Sequence, residues 1–174
     1  ARCVRKCLTP SCSCVTGRGS RAVGEDESPP PEARVMPHRW LVKTDPAVFS
    51  FDDLLERRAV TWRGVTQPLS LRHLASMRRS DDVLVYHTGA RRAVVGTARV
   101  RRGAYPDPEA TDPALVAVDL AVREALRRPV KLAELLTEPR LAAWVLLRIP
   151  RIHVLPVPAG AWRTVLARSR RPAP

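Results

Sequence analysis

The sequence is poor in aromatic residues, in lysine and in long hydrophobic runs. Phe, Trp and Tyr make up 5% of its 174 residues, and three of the 30 Lys and Arg residues are lysines. No apolar stretch approaches the roughly 18 residues that a membrane-spanning helix requires. Residues 1–7 contain no continuous hydrophobic segment of the kind found in secretory signals. These absences favour a cytoplasmic protein without a membrane partner, with association with the nucleoid as an alternative.

Acidic residues are scarce as well. The chain has 17 Asp and Glu against 30 Lys and Arg, which gives a formal net charge of +13. Residues 1–35 contribute only +2 of this charge, so the basic character belongs to the remainder of the chain. A positive surplus attracts polyanions, of which nucleic acid is the commonest inside a cell. A GC-rich coding sequence also enriches arginine, so charge alone indicates the class of partner and nothing finer.

The first 35 residues differ from the rest in composition. They hold all four cysteines and none of the eight aromatic residues. A segment without aromatic residues buries too little apolar surface to offset its chain entropy, so we predict a disordered extension over 1–35. Cys3, Cys7, Cys12 and Cys14 lack the paired-knuckle spacing of structural zinc sites, which favours free thiols over a zinc site or disulfides. Met36 is a candidate natural start, residues 36–169 form the predicted domain, and 170–174 are a predicted frayed C-terminus.

Short strand-like and helix-like segments alternate through the domain. Strands are predicted at 40–43, 83–87, 93–100, 115–122 and 151–157, and helices at 54–57, 68–77, 131–138 and 159–169. Ser50 precedes the first helix in an S-x-x-D capping pattern, and Pro68 suits a first helical position. About five strands with short surrounding helices in this length predict an α+β fold built on a mixed β pseudobarrel.

Catalytic patterns are missing from the predicted domain. The four histidines and the acidic residues have no metal-ligand spacing, and there is no Gly-rich phosphate loop. No cysteine follows residue 14, and neither Ser50 nor Ser70 lies in a nucleophile-elbow motif. We therefore expect a monomeric, non-catalytic protein with no metal and no cofactor.

Several motifs of the domain resemble, in the same order, those of one known family. They are WLVKTDP at 40–46, FS at 49–50, TWRGV at 61–65, YHT at 86–88, VVGTA at 94–98, YPD at 105–107, PVKLAEL at 129–135, RIHVLPV at 151–157 and Trp162. This order is similar to that of the EVE domain, and the resemblance covers residues 38–168. It implies a PUA-like barrel related to the YTH readers of methylated adenine. It also implies a pocket for a modified nucleobase, with modified cytosine in DNA favoured over modified RNA bases.

The resemblance and the residue chemistry together indicate a ligand site. A flipped base needs an aromatic face and polar groups that read its edge, which Trp62 and the carboxylate of Asp45 supply. The full set of candidate ligand-binding residues is Trp40, Lys43, Thr44, Asp45, Trp62, Gly64, Val65, Gln67, Tyr86, His87 and Thr88. His87 and Thr88 are expected at the rim of the pocket.

Each of these residues also has a structural interpretation. Trp62 and Trp40 are alternatively core residues, Asp45-Pro46 a plain turn, and His87 a hydrogen-bonded structural histidine. Trp162, on the last helix, is expected in the core. The chain has Thr66-Gln67 where the family shows Arg-Asn, Arg63 where it often shows an acidic residue, and Leu115 where it commonly shows Trp. These departures leave the identity of the base open.

Five arginines flank one predicted hairpin and are candidates for contacts with a nucleic-acid backbone: Arg91, Arg92, Arg99, Arg101 and Arg102. The predicted function is therefore a reader of a modified base. An RNA-binding PUA-like module and a ligand-free protein-interaction adaptor are the alternatives.

Overall fold

The structure is a computed structural model that describes residues 38–149 and 151–171. Its strands are β1 (Arg39–Thr44), β2 (Ala59–Trp62), β3 (Asp82–His87), β4 (Ala93–Pro106), β5 (Val116–Lys131) and β6 (Val154–Pro156). Its helices are α1 (Phe51–Arg57), α2 (Pro68–Ala75), α3 (Leu132–Leu136), α4 (Val145–Arg148) and α5 (Ala159–Ser169), with a short 3-10 turn at Pro139–Leu141. The predicted extension 1–35 and residues 172–174 of the predicted frayed C-terminus lie outside the described residues.

The six strands form one mixed sheet in the order β2-β5-β4-β3-β1-β6. β1 and β3 are parallel, and the other pairs are antiparallel. The pairing of β4 with β5 shifts register at four places, and such bulges bend and twist a sheet. This mixed α+β sheet with short helices confirms the predicted fold class, with six strands where about five were expected.

The central strands are buried on both faces because helices cover both. On one face α1 and α2 pack over a cluster that includes Phe51, Leu54 and Leu74. On the other, α3, α4 and α5 pack over a second cluster. Trp162 belongs to this second cluster and is 8% exposed, which confirms its expected place in the core. All six residues of β3 are buried, as expected for a strand between two layers of helices.

Local sequence explains where the helices begin. Ser50 caps α1 in a capping box: its hydroxyl accepts from the backbone N–H of Asp53, whose carboxylate accepts from the backbone N–H of Ser50. Gln67 caps α2, and Pro68 follows as its first residue. No helix within the described residues is long and apolar enough to cross a membrane.

Candidate functional site

The parallel pairing of β1 with β3 brings two of the predicted motifs together. Thr44 is in register with His87 at the carboxyl ends of the two strands. The backbone N–H of Thr88 donates to the Thr44 carbonyl at 2.9 Å, and the Thr88 hydroxyl donates to the same oxygen at 3.2 Å. Residues 43–45 and 86–88 therefore lie side by side at one end of the sheet.

One face of this strand pair is closed by hydrogen bonds to the start of α1. The Thr44 hydroxyl donates to the Phe49 carbonyl at 2.7 Å. The Phe51 backbone N–H donates to Nε2 of His87 at 3.0 Å, so the proton of the neutral ring is on Nδ1. Nδ1 is buried and has no hydrogen-bond partner among the described residues.

His87 behaves as a structural histidine. It is 1% exposed. Burial lowers its pKa below the ordinary histidine value, and the charge of Arg91 lowers the pKa further, against smaller opposite effects of Asp52 and Asp45. The expected position at the pocket rim is therefore wrong for His87. Its ring positions the backbone that leads into α1.

The opposite face of the same strands borders a cavity of about 180 Å³. Its lining residues are Lys43, Tyr86, Thr88, Gly89, Arg92, Leu132 and Leu146. Lys43 is 7% exposed, and burial lowers the pKa of its ammonium group. Burial raises the pKa of the Tyr86 hydroxyl, and the neighbouring Arg92 guanidinium partly offsets this rise. The cavity thus combines two cations and two hydroxyls with an apolar wall.

The predicted carboxylate, Asp45, is exposed on a tight turn directly after β1. One of its carboxylate oxygens accepts from the backbone N–H of Ala47 at 3.0 Å. Its carbonyl accepts from the N–H groups of Val48 and Phe49 at 3.0 and 2.9 Å. The turn presents the carboxylate to solvent and returns the chain to Phe49.

Phe49 connects Trp62 to this turn. Trp62 ends β2, one of the two edge strands of the sheet, and is half-buried. Its ring meets that of Phe49 edge-on, with centroids 6.3 Å apart and planes at 82°. The guanidinium of Arg57 lies over the Phe49 ring at 5.8 Å. The sheet therefore curls so that the end of β2 lies near the turn after β1. The contact between Trp62 and Phe49 joins the two.

Other predicted ligand residues have structural roles elsewhere. Trp40 is 7% exposed at the start of β1, and its indole N–H donates to a carboxylate oxygen of Asp81 at 2.9 Å. Val65 is 9% exposed in the core beneath α1 and α2. The Gln67 side chain accepts from Ser70 N–H as the cap of α2. Gly64, two residues after Trp62 in the chain, has no packing role, since a methyl group placed on its Cα meets no atom within 4 Å.

The five predicted backbone-binding arginines do not form one cluster. Arg91 and Arg92 lie in the β3–β4 turn, next to the cavity end of the sheet. Arg99 pairs with Asp82 at 3.4 Å near the opposite end of the hairpin, seven residues or about 23 Å along the strand from Arg92. The remaining two follow still further along β4. Arg102 stacks on the Tyr105 ring at 3.9 Å, and Arg101 borders a surface hollow of about 220 Å³ beside Asp119.

Charged side chains of the described region differ in whether they are paired. Within residues 38–149 and 151–171, no three His, Cys, Asp or Glu side chains converge as metal ligands. Several arginines of the same region are paired with carboxylates, as in the Arg128–Glu134 and Arg123–Asp82 salt bridges at 2.8 Å. Among the described residues, no salt bridge involves Arg91 or Arg92, and both residues are exposed.

The model of the EVE domain family matches residues 38–168. The chain belongs to the EVE domain family. Among solved structures, an NMR structure of a Rhodopseudomonas palustris protein is 36% identical, with a TM-score of 0.72 over 76% of this chain and 92% of that one. A hypothetical protein from Leishmania major is 29% identical, with a TM-score of 0.71 over 76% of this chain and 94% of that one.

Human THYN1 in complex with DNA containing 5-methylcytosine has the same fold. It is 21% identical to this EVE domain, with a TM-score of 0.71 over 78% of this chain and 99% of that one. No curated protein matches the sequence. These findings confirm the family that the motif order predicted.

Sequence reasoning missed three residues of this EVE domain that shape the site. Phe49, which links the Asp45 turn to Trp62, was visible as an aromatic residue between a turn and a helix cap. Leu132 and Leu146 form the apolar wall of the cavity. They come from α3 and α4, and no local pattern places those helices against β1 and β3.

Proposed function

We propose that this EVE domain is a non-catalytic nucleic-acid-binding domain that recognises a modified base, with modified cytosine in DNA as the preferred ligand. The observation that carries the proposal is that Phe49 connects two candidate residues: its ring contacts Trp62, and its backbone N–H donates to the carbonyl of Asp45, whose carboxylate is exposed. An aromatic surface and a hydrogen-bond acceptor are the two elements that a flipped cytosine requires.

The indole of Trp62 is the proposed stacking surface. Taking a base out of a duplex costs a few kcal/mol. Stacking on an aromatic side chain returns about 1–3 kcal/mol per base. Because Trp62 is half-buried and held by Phe49, its ring is already oriented before a ligand arrives, and part of its surface remains accessible.

Asp45 is the proposed reader of the base edge. Carboxylates accept hydrogen bonds from the N4 amino group of cytosine. The Asp45 turn uses one carboxylate oxygen to accept from Ala47, which orients the group at the surface. Asp45 therefore favours a base with an exocyclic amine over one with a carbonyl at that position.

The charge of the chain supports a polyanionic partner. The formal net charge is +13, and Arg91 and Arg92 are exposed near the Asp45 turn. Such residues neutralise phosphates and make affinity fall with salt. The likeness in fold to human THYN1, whose structure contains 5-methylcytosine DNA, makes that modification the first probe to use.

The test is a titration of labelled oligonucleotides with the full chain, followed by fluorescence anisotropy. The probes carry cytosine, 5-methylcytosine or 5-hydroxymethylcytosine, and a parallel set carries modified RNA bases. We expect tighter binding of a modified DNA probe than of its plain counterpart. Equal affinity for modified and plain probes contradicts base reading, and a preference confined to the RNA set favours the RNA-binding alternative.

Two variants locate the site. Trp62→Ala is expected to weaken binding of the preferred probe by about 1–3 kcal/mol while the far-UV circular dichroism stays native. Asp45→Asn is expected to reduce the preference for cytosine derivatives, whereas the matched charge change Asp52→Asn, at the exposed first turn of α1, leaves it intact. Loss of the fold in Trp62→Ala instead assigns Trp62 to the core.

A further inference from the structure

We infer that the cavity bordered by Lys43, Tyr86, Thr88 and Arg92 is a binding site for a phosphoryl group. The inference goes beyond base recognition, because the cavity lies on the face of β1 and β3 opposite Thr44 and His87. Its seven lining residues include two cations, the Tyr86 hydroxyl and the Thr88 hydroxyl, which donates to the Thr44 carbonyl, and none of the seven is a carboxylate. This inventory favours a ligand with several negatively charged oxygens.

The polar side chains of the cavity are held in place before any ligand binds. Lys43 and Tyr86 are 7% and 4% exposed on adjacent, hydrogen-bonded strands. The backbone N–H of Lys43 donates to the His153 carbonyl at 2.8 Å, which anchors this end of β1 to the segment before β6. A buried lysine in a fixed strand is a preorganised point charge.

The turn that carries Arg92 is equally constrained. Gly89 has a φ of 66° and Arg92 a φ of 38°, both in the left-handed region. The Arg92 carbonyl accepts from the Leu132 backbone N–H at 2.7 Å, so the turn is attached to the start of α3. The guanidinium lies next to the Tyr86 hydroxyl, which its charge influences. The planar fork of an arginine matches phosphate oxygens in a bidentate manner.

The energetics and the size of the cavity also fit a phosphoryl group. Burial lowers the pKa of the Lys43 ammonium group, and an anion bound beside it favours its charged form. Leu132 and Leu146 form an apolar wall, beside which charge attraction is stronger than in bulk water. The volume of about 180 Å³ lies below the roughly 300 Å³ at which pockets for drug-sized ligands begin, which favours a small ligand such as a phosphoryl group.

The first experiment uses inorganic phosphate as the probe. Backbone amide shifts of the full chain are followed by NMR while phosphate is added, with sodium chloride at equal ionic strength as the reference. We expect saturable shifts of Thr88, Gly89 and Leu132 with phosphate and none with chloride. Shifts that do not saturate, or that chloride reproduces, overturn the inference.

Three variants test the assignment of the side chains. Arg92→Gln and Lys43→Met should each weaken phosphate binding at least tenfold, and Tyr86→Phe should weaken it by a smaller factor. Arg163→Gln, the same charge change on the exposed side of α5, should leave it unchanged. Wild-type phosphate affinity in folded Arg92→Gln overturns the inference even if Lys43→Met fails to fold.

A phosphoryl group has two possible sources, a nucleic-acid backbone or a small phosphorylated molecule, and a second titration distinguishes them. If an unmodified DNA oligonucleotide loses at least tenfold in affinity with Arg92→Gln, the source is the backbone. If its affinity is unchanged while phosphate binding is lost, the source is a free phosphorylated molecule. In both cases the ratio of modified to plain DNA affinity stays at its wild-type value, so failure of base reading is separable from failure of the phosphoryl site.

Discussion

The two faces of the β1–β3 pair use polar side chains in opposite ways. On one face Thr44 and His87 bond to the backbone around Phe49 and Phe51, and α1 closes over them. On the other face Lys43 and Tyr86 border a cavity with Arg92. Lys43 and Thr44 are neighbours in the sequence of β1, and Tyr86 and His87 are neighbours in that of β3.

The difference follows from strand geometry. Successive side chains of a strand point to opposite faces, so a motif read as one unit is divided between two environments. The closed face satisfies its polar atoms internally and holds α1 in place. The open face leaves charged and hydroxyl groups around a space for a ligand. In each of these two motifs, one residue therefore has a structural role and its neighbour in sequence lines the cavity.

The largest expected effect comes from Gly96→Ala, which disturbs the packing of the closed face. A methyl group on its Cα would lie 2.0 Å from Cζ of Phe51, so Gly96→Ala must displace a core ring. We expect a loss of about 1–3 kcal/mol in the free energy of unfolding, measured with urea. Gly160→Ala, in α5 with no atom within 4 Å of the added methyl, should be neutral or stabilising. Equal stability of Gly96→Ala and wild type contradicts the tight packing of Phe51.

A second pair of variants sharpens the contrast between the two threonines. Thr44→Val removes the 2.7 Å bond to the Phe49 carbonyl and should cost about 1 kcal/mol of stability. Thr88→Val should cost less, because its 3.2 Å bond goes to a carbonyl that still accepts the Thr88 N–H. Because the Thr88 side chain lines the cavity and Thr44 does not, phosphate binding should change in Thr88→Val and stay at its wild-type value in Thr44→Val. A larger loss of stability in Thr88→Val, together with a change of phosphate binding in Thr44→Val, would contradict this assignment of the two faces.

The smallest expected effect is the pH dependence of the closed face. The folded state lowers the pKa of His87 below the ordinary value of 6.5, mainly through burial. The unfolded state therefore binds the proton first, and this contribution to stability is complete above pH 6.5 and declines as the pH falls below it.

The variant that removes this titration is His87→Gln, whose amide oxygen can accept from Phe51 N–H. Its melting temperature should fall less between pH 7 and pH 5.5 than that of the wild type. His153→Gln, at an exposed position, should keep the wild-type dependence. An unchanged slope in His87→Gln means that another group produces the decline.

Local patterns predicted some of these elements well. The cap at Ser50, Pro68 at the start of α2 and the final helix 159–169 agree with the structure, because capping and periodicity act within a few residues. β4 and β5 extend well past their predicted ends, to Pro106 and Lys131. Their additional residues are mostly polar and exposed or half-buried, so pairing between the two strands, with its bulges, decides their structure.

The candidate site was predicted unevenly for the same reason. The motifs at 43–45 and 86–88 were expected together, and the parallel strands place them side by side. Trp40 and Gln67 were expected in the pocket, but one bonds to Asp81 and the other caps a helix. Residue type alone does not separate these roles, since a tryptophan or an amide serves equally well in a core, a cap or a pocket.

The sequence by itself determined the family, the α+β class, the positive charge and the helix caps, because these depend on composition, motif order and short-range chemistry. The tertiary structure decided which side of each strand faces a cavity, how the five arginines divide, and how the curl of the sheet brings Trp62 to Phe49. Those features depend on pairing register and on packing between residues distant in sequence, such as Leu146 and Lys43.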